Sequence, residues 1–162
     1  MKIRKLSLQD AEVWRKIRLE GLKAFPQAFL TQYADVEAKP LEALADQLRT
    51  NSTFVAFEDD EPIASMGYVL DRRLAVQHRA TIVAVYVREA WQGKGVAEKL
   101  LEAVIADMPA QVLQIHLEVA ATNPGAITFY ERHGFVKVGT LPRATFVDGT
   151  ATDDHIMVRM LD

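Results

Sequence analysis

The sequence predicts a single α/β or α+β domain built on a central mixed sheet, and three observations lead there. Ala80 to Val87 is a run of eight residues, apolar but for Thr81, which reads as a strand buried on both faces. After a short connector with two glycines comes a helix, with Val96, Ala97, Leu100, Leu101, Val104 and Ile105 on one stripe and Glu98, Lys99, Glu102 and Asp107 opposite. Val112 to Val119 then alternates strictly: Leu113, Ile115, Leu117 and Val119 fall on one side, and Gln114, His116 and Glu118 on the other.

The remaining elements follow in order. Ile3 to Leu6 reads as a strand, and Ser7 with Asp10 three residues on opens a helix through about Leu22, buried along Val13, Trp14, Ile17 and Gly21. The segment from Ala24 to Leu30 is aromatic but broken by Pro26, which makes it a loop or a short helical turn. Pro40 is placed to start a second helix, with Leu41, Leu44 and Leu48 at helical spacing. Thr53 to Glu58 and Ile63 to Leu70 flank the turn Asp59-Asp60-Glu61-Pro62 and suggest a hairpin. Asn123-Pro124 provides a cap and a first helical residue for a helix to His133, which Gly134 stops. Phe135 to Val138 and His155 to Leu161, with the turn Asp148-Gly149 between them, read as two closing strands.

Composition bounds the function. The 162 residues, 49% of them hydrophobic, suffice for one core, and no linker, low-complexity tract or repeat divides residues 1–162. Nineteen Lys and Arg against 22 Asp and Glu leave a net charge of -3, with no basic footprint for nucleic acid. The absence of cysteine excludes disulfides, thiolate metal sites and a cysteine nucleophile, and suits a reducing cytosol. Met1 to Leu6 alternates charged and apolar residues, and no 18 apolar residues run together. A cytoplasmic protein with no membrane partner and no metal is expected; a homodimer is left open.

The chemistry-bearing motif is Gln92-Gly93-Lys94-Gly95-Val96-Ala97, between the apolar strand and the amphipathic helix. Glycines let the chain approach closely, and free N–H groups and the helix dipole favour an anion such as phosphate. A Walker loop fails because Lys94 is followed by Gly95 rather than Ser or Thr. A dinucleotide fingerprint fails because its third glycine falls on Glu98 and the loop starts several residues beyond the strand. The arrangement Gln/Arg-x-x-Gly-x-Gly/Ala remains, matched by Gln92, Gly95 and Ala97, and there the sequence resembles the GNAT superfamily of acetyl-CoA-dependent N-acetyltransferases. Asn123 and Tyr130, in Phe129-Tyr130-Glu131-Arg132-His133-Gly134-Phe135, extend the resemblance, which is most specific over residues 80 to 138.

The resemblance implies a mostly antiparallel sheet of about six to seven strands flanked by about four helices. It implies that Gln92, Gly93, Lys94, Gly95, Val96 and Ala97 hold the pyrophosphate of acetyl-CoA. The backbone of Val85, Tyr86 and Val87 would pair with the pantetheine arm, Asn123 would hydrogen-bond it, and Tyr130 would sit near the sulfur. Each has a plainer reading: the glycines shape a turn, Asn123 caps a helix, and Tyr130 belongs to the core. The implied activity is acetyl transfer to a primary amine of a small molecule or peptide by direct attack in a ternary complex. The competing functions are a non-catalytic acyl-CoA sensor and, disfavoured by Glu98, a nicotinamide oxidoreductase.

A lysine-like amine has a pKa of about 10.4 and must lose a proton before attack. Glu118 is the foremost candidate base, followed by His116 and Tyr86, although a strand glutamate also serves as a hydrogen-bonded structural group. A backbone N–H of Val85 to Val87 would meet the oxyanion. Proton transfer from a tyrosine of pKa ~10 to a thiolate of ~8.5 is uphill by roughly 2 kcal/mol, so hydrogen bonding by Tyr130 is the better role. In such enzymes a loop like Phe25 to Glu37 shapes the acceptor pocket; Phe25, Phe29 and Tyr33 would offer aromatic faces to a cationic amine, or else cap the core. His78, Arg79, Asp154 and His155 stay ambiguous.

Overall fold

The computed structural model describes all 162 residues. Seven strands form one sheet: β1 (Lys2–Lys5), β2 (Ser52–Glu58), β3 (Glu61–Leu70), β4 (Arg79–Val87), β5 (Gln114–Ala120), β6 (Val136–Val147) and β7 (Thr150–Met160). Their order is β1-β2-β3-β4-β5-β7-β6, and β4 with β5 is the one parallel pair. Two hairpins close on turns with both central residues at positive φ, Asp59-Asp60 and Asp148-Gly149, whose twist matches the strands they join. Glu61 and Pro62 belong to β3, so the first turn is tighter than the four residues the sequence suggested.

Five helices cover the sheet: α1 (Ala11–Ala24), α2 (Tyr33–Glu37), α3 (Leu41–Thr50), α4 (Val96–Asp107) and α5 (Pro124–Arg132). On one face Trp14, Ile17 and Leu22 of α1 and Leu44 and Leu48 of α3 pack with Val55, Phe57 and Tyr86. On the other, Leu100, Leu101 and Val104 of α4 and Tyr130 of α5 pack with Ile63, Met66, Ile115 and Leu117. Each fully buried Leu or Ile contributes roughly 1.5–3 kcal/mol, so these two layers hold the sheet rigid between them.

Seven strands and five helices agree with the fold class expected; α2, a five-residue turn with a single buried residue, Val36, is too short to show a period. Three details are corrected. Asp10 accepts from the Ser7 amide at 2.7 Å as expected, but it closes a 3₁₀ turn (Leu8–Asp10), and α1 starts only at Ala11. Leu113 lies outside β5 and is 48% exposed; Val112 is the buried residue there. β4 is not buried on both faces: Ala80, Ile82 and Tyr86 are, whereas Val83, Ala84, Val85 and Val87 are only partly covered.

Candidate active site

β4 and β5 pair only from Arg79–Thr81 to Gln114–His116, and beyond that they diverge. On its other edge β4 stays bonded to β3 as far as Val87 opposite Ala64. The β5-facing edge of Val83 to Val87 therefore offers its alternate N–H and C=O groups to whatever enters the fork. A bulge re-aims this edge: Ser65 opposes Tyr86 but Gly67 opposes Val83, which leaves one extra residue in β4, with Ala84 at φ 55°. Ser65 Oγ donates to Ala84 O at 2.8 Å and holds the bulge. The fork opens into a cleft of about 940 Å³ that passes through the sheet, and the partly covered apolar residues of β4 are its wall.

On the α4 face, β4 runs into a 3₁₀ turn (Glu89–Trp91) and the glycine loop. Gln92 Nε2 donates to Val87 O at 3.1 Å and ties loop to strand. Gly93 and Gly95 hold φ of 71° and 77°, and the position of a Cβ on either meets nothing within 4 Å. Gly95 caps α4, and the first amide beyond the loop to find a backbone acceptor is Lys99, on Gly95 O at 3.2 Å. The amides from Gly93 to Glu98 make no backbone hydrogen bond, and the space beside Gly93 and Gly95 is open, a fit for an oxyanion with several oxygens. Lys94 Nζ rests 5.0 Å from the Trp91 ring centre, adding positive charge at the rim.

Asn123 and Tyr130 border the same side of the cleft. The Asn123 side-chain oxygen accepts from Ala126 N at 3.1 Å, so the cap is real, and its NH₂ is left to donate elsewhere. Tyr130 is buried between Phe129 and Phe135, edge to face at 5.2 and 5.4 Å, and burial raises its pKa above the ordinary phenol value. The phenol is thus a hydrogen-bond donor that holds its proton. The Gly134 turn, with Phe135 N donating to Tyr130 O at 3.0 Å, fixes it in place.

The opposite face is differently furnished. Leu117 and Val119 point into the α4 core, so His116 and Glu118 between them point to the α1 side. Asp154, paired with Ala120 across β5 and β7, shares that side. Glu118 is exposed at the cleft, not enclosed in the sheet interior as expected. Asp154 is buried, and its pKa is raised by burial first and by the Glu118 carboxylate next. His116 lies within 3.4 Å of Thr81 Oγ1; burial, then Arg79, lowers its pKa and favours the neutral ring. Tyr86 donates to Glu20 Oε1 at 2.9 Å, and burial followed by that carboxylate pushes it up to about 12, so it is no base at neutral pH.

Of the three aromatics read as acceptor contacts, Phe29 lines the cleft. Phe25 stacks at a tilt 6.1 Å from Tyr86 and Tyr33 starts α2; both are exposed and neither lines the cleft. After the turn Pro26–Ala28 the chain from Ala28 to Thr31 lines the cleft, Phe29 among it, while Phe25 and Tyr33 on either side do not. Sequence reasoning overlooked Arg18, whose guanidinium lies 4.9 Å from the Phe29 ring centre and 5.8 Å from that of Trp14, within the cleft wall. Its signal was a charge at i+4 from Trp14, beside the buried stripe. Asp154 was named but left ambiguous, because its place depends on the register of β7 against β5.

A cleft through a forked sheet, with an anion cradle on one face and two carboxylates on the other, can bring an anionic carrier and an amine together. Comparison with known proteins agrees with that geometry. The profile of the acetyltransferase (GNAT) family matches residues 14–135. The spermidine N(1)-acetyltransferase of Vibrio cholerae is 34% identical over 79 residues, 47% of this chain and 45% of that enzyme, so the match spans about half its length. The N-alpha-acetyltransferase of Saccharolobus solfataricus is 31% identical over 120 residues, 67% of this chain and 68% of that one. The structure of yncA from Salmonella typhimurium with its cofactor acetyl-CoA has the same fold, with a TM-score of 0.83 at 19% identity over 100% of this chain and 94% of the other. With a family profile covering more than half of its residues, the chain belongs to the acetyltransferase (GNAT) family of acyltransferase enzymes.

Proposed function

We propose that the protein transfers the acetyl group of acetyl-CoA to a primary amine, by direct attack in a ternary complex at the fork between β4 and β5. The observation that carries this reading is one cleft joining the free edge of β4, the open amides of Gly93 to Glu98 and, through the sheet, the carboxylates of Glu118 and Asp154.

Acetyl-CoA supplies an activated acyl group and a thiolate leaving group. The chain's own residues do the rest. The loop amides and Lys94 hold the pyrophosphate, the β4 edge at Val85 to Val87 pairs with the pantetheine amides, and the Asn123 NH₂ donates to the same arm. A lysine-like amine costs about 5 kcal/mol to deprotonate at neutral pH, a sum a positioned carboxylate offsets by binding the ammonium and accepting its proton directly or through water. Glu118 takes that proton, and Asp154 beside it keeps the site negative. An N–H of the β4 edge receives the developing oxyanion, and Tyr130 donates to the departing sulfur without giving up its proton.

The test is acetyl-CoA-dependent thiol release over a panel of polyamines, amino acids and peptides, with the product's acetylation confirmed by mass. Release that depends on one acceptor class supports the reading. Acetyl-CoA binding with no release from any amine would instead mark a sensor.

A further inference from the structure

Arg18 is a cation that the fold leaves without a counter-charge. It sits on α1 with its guanidinium against the faces of Phe29 and Trp14, in the wall of the cleft on the side of Glu118 and Asp154. Burial is the one influence on its proton affinity, pulling it down to about 10, with no carboxylate to offset the loss of water. Other arginines of the chain show the contrast: Arg4 is bidentate on Asp10 at 2.9 Å and Arg88 on Glu20 at 2.6 and 2.9 Å. A desolvated guanidinium held rigid by aromatic faces, its planar fork free, is preorganised for an oxyanion. The carboxylates that could have neutralised it, Glu118 and Asp154, line the same cleft without pairing to it.

We propose that Arg18 binds a carboxylate of the acceptor, so that the substrate is a small amino acid, its ammonium toward Glu118 and Asp154 and its carboxylate on the arginine fork. The proposal rests on the acetyl-transfer reading for the amine's fate but not for the carboxylate's binding. It narrows the acceptor class: a polyamine has no group for Arg18, and a peptide N-terminus carries a neutral amide where the carboxylate is required. The turn Pro26–Ala28, which lies against β5 and β6, brings Phe29 to the cleft wall beside Arg18.

Matched acceptors isolate the carboxylate: L-leucine, L-methionine and L-glutamate, each against its α-amide and its decarboxylated amine, with spermidine and a tripeptide amide beside them. Thiol release gives kcat/KM for each, and calorimetric titration in the presence of CoA gives affinity without turnover. The free amino acid of at least one set is expected to lead its amide about tenfold or more in both measurements, the worth of a charge-assisted bond. Arg18→Gln brings that ratio close to one, chiefly through the acceptor KM, and Arg18→Lys restores part of it. Because the ratio is taken within one preparation, it does not depend on how much variant folds. Spermidine, the tripeptide amide or the decarboxylated amines acting as well as the amino acids would overturn the proposal, as would a preference that survives in Arg18→Gln. A carboxylate preference in binding with no thiol release would uphold the Arg18 site and defeat acetyl transfer instead.

Discussion

The roles proposed for Tyr130 and Glu118 fall on side chains whose surroundings differ sharply: the phenol is buried and the carboxylate exposed. The Tyr130 ring is part of the core, so Tyr130→Phe keeps the packing and removes only the hydroxyl. We expect turnover to fall about tenfold or more with the acetyl-CoA KM within about twofold, as for loss of a group that acts in the transition state; unchanged kcat at saturation would refute the role. Glu118→Gln should lower kcat/KM for the acceptor by about a hundredfold; a value within about twofold of the wild type would assign the proton to another group. Both residues were named from the sequence, one by resemblance and one by strand alternation, and both line the cleft. What alternation could not supply was exposure: Glu118 faces water because β5 leaves β4 at His116, and a strand pattern carries no sign of a missing neighbour. Asp154 and Arg18 were illegible as a pair, since they meet the cleft from elements more than a hundred residues apart.

At the scale of elements, α1 and the glycine loop set the two sides of the site. Gly21 lets α1 lie against β4: a Cβ there would come within 2.9 Å of Tyr86 Cγ, in a ring tied by its hydroxyl to Glu20. Gly21→Ala should cost about 1–3 kcal/mol, lowering the melting temperature by several degrees; a neutral effect in thermal unfolding would show that the helix can shift. The start of α1 responds to acid. Arg4 foremost, with Ser7, holds the Asp10 carboxyl at about 2, below its ordinary 3.8. A carboxylate favoured in the folded state stabilises above its unfolded pKa, so the contribution is full above about pH 4 and lost as pH falls toward 2. With Arg4 partly exposed and screened, Asp10→Asn should cost about 1 kcal/mol at neutral pH and little near pH 2, read from unfolding midpoints against pH. The caps, the glycine stops and the hairpin turns were readable because they act within a few residues. α2 was not, and neither was the β4 bulge at Ala84, whose positive φ is imposed by pairing with β3.

At the scale of the whole molecule, one topological fact governs the site: the single parallel pair of the sheet opens, and the opening joins the two faces. That places the anion cradle and the carboxylates on opposite sides of one passage, where the proposed reaction would bring the acyl carrier and the amine together without an intermediate on the protein. The order of elements in the sequence implied a mixed sheet, but not that its parallel pair diverges, because divergence is a property of strands far apart in the chain. The chain has no cysteine to carry an acetyl group, which fits direct transfer. The most direct measurement is therefore initial-rate kinetics with acetyl-CoA and a responsive amine varied together. Direct attack in the fork predicts double-reciprocal lines that intersect, and no acetyl group on the protein by mass when the amine is withheld. Parallel lines with an acetylated protein would contradict it.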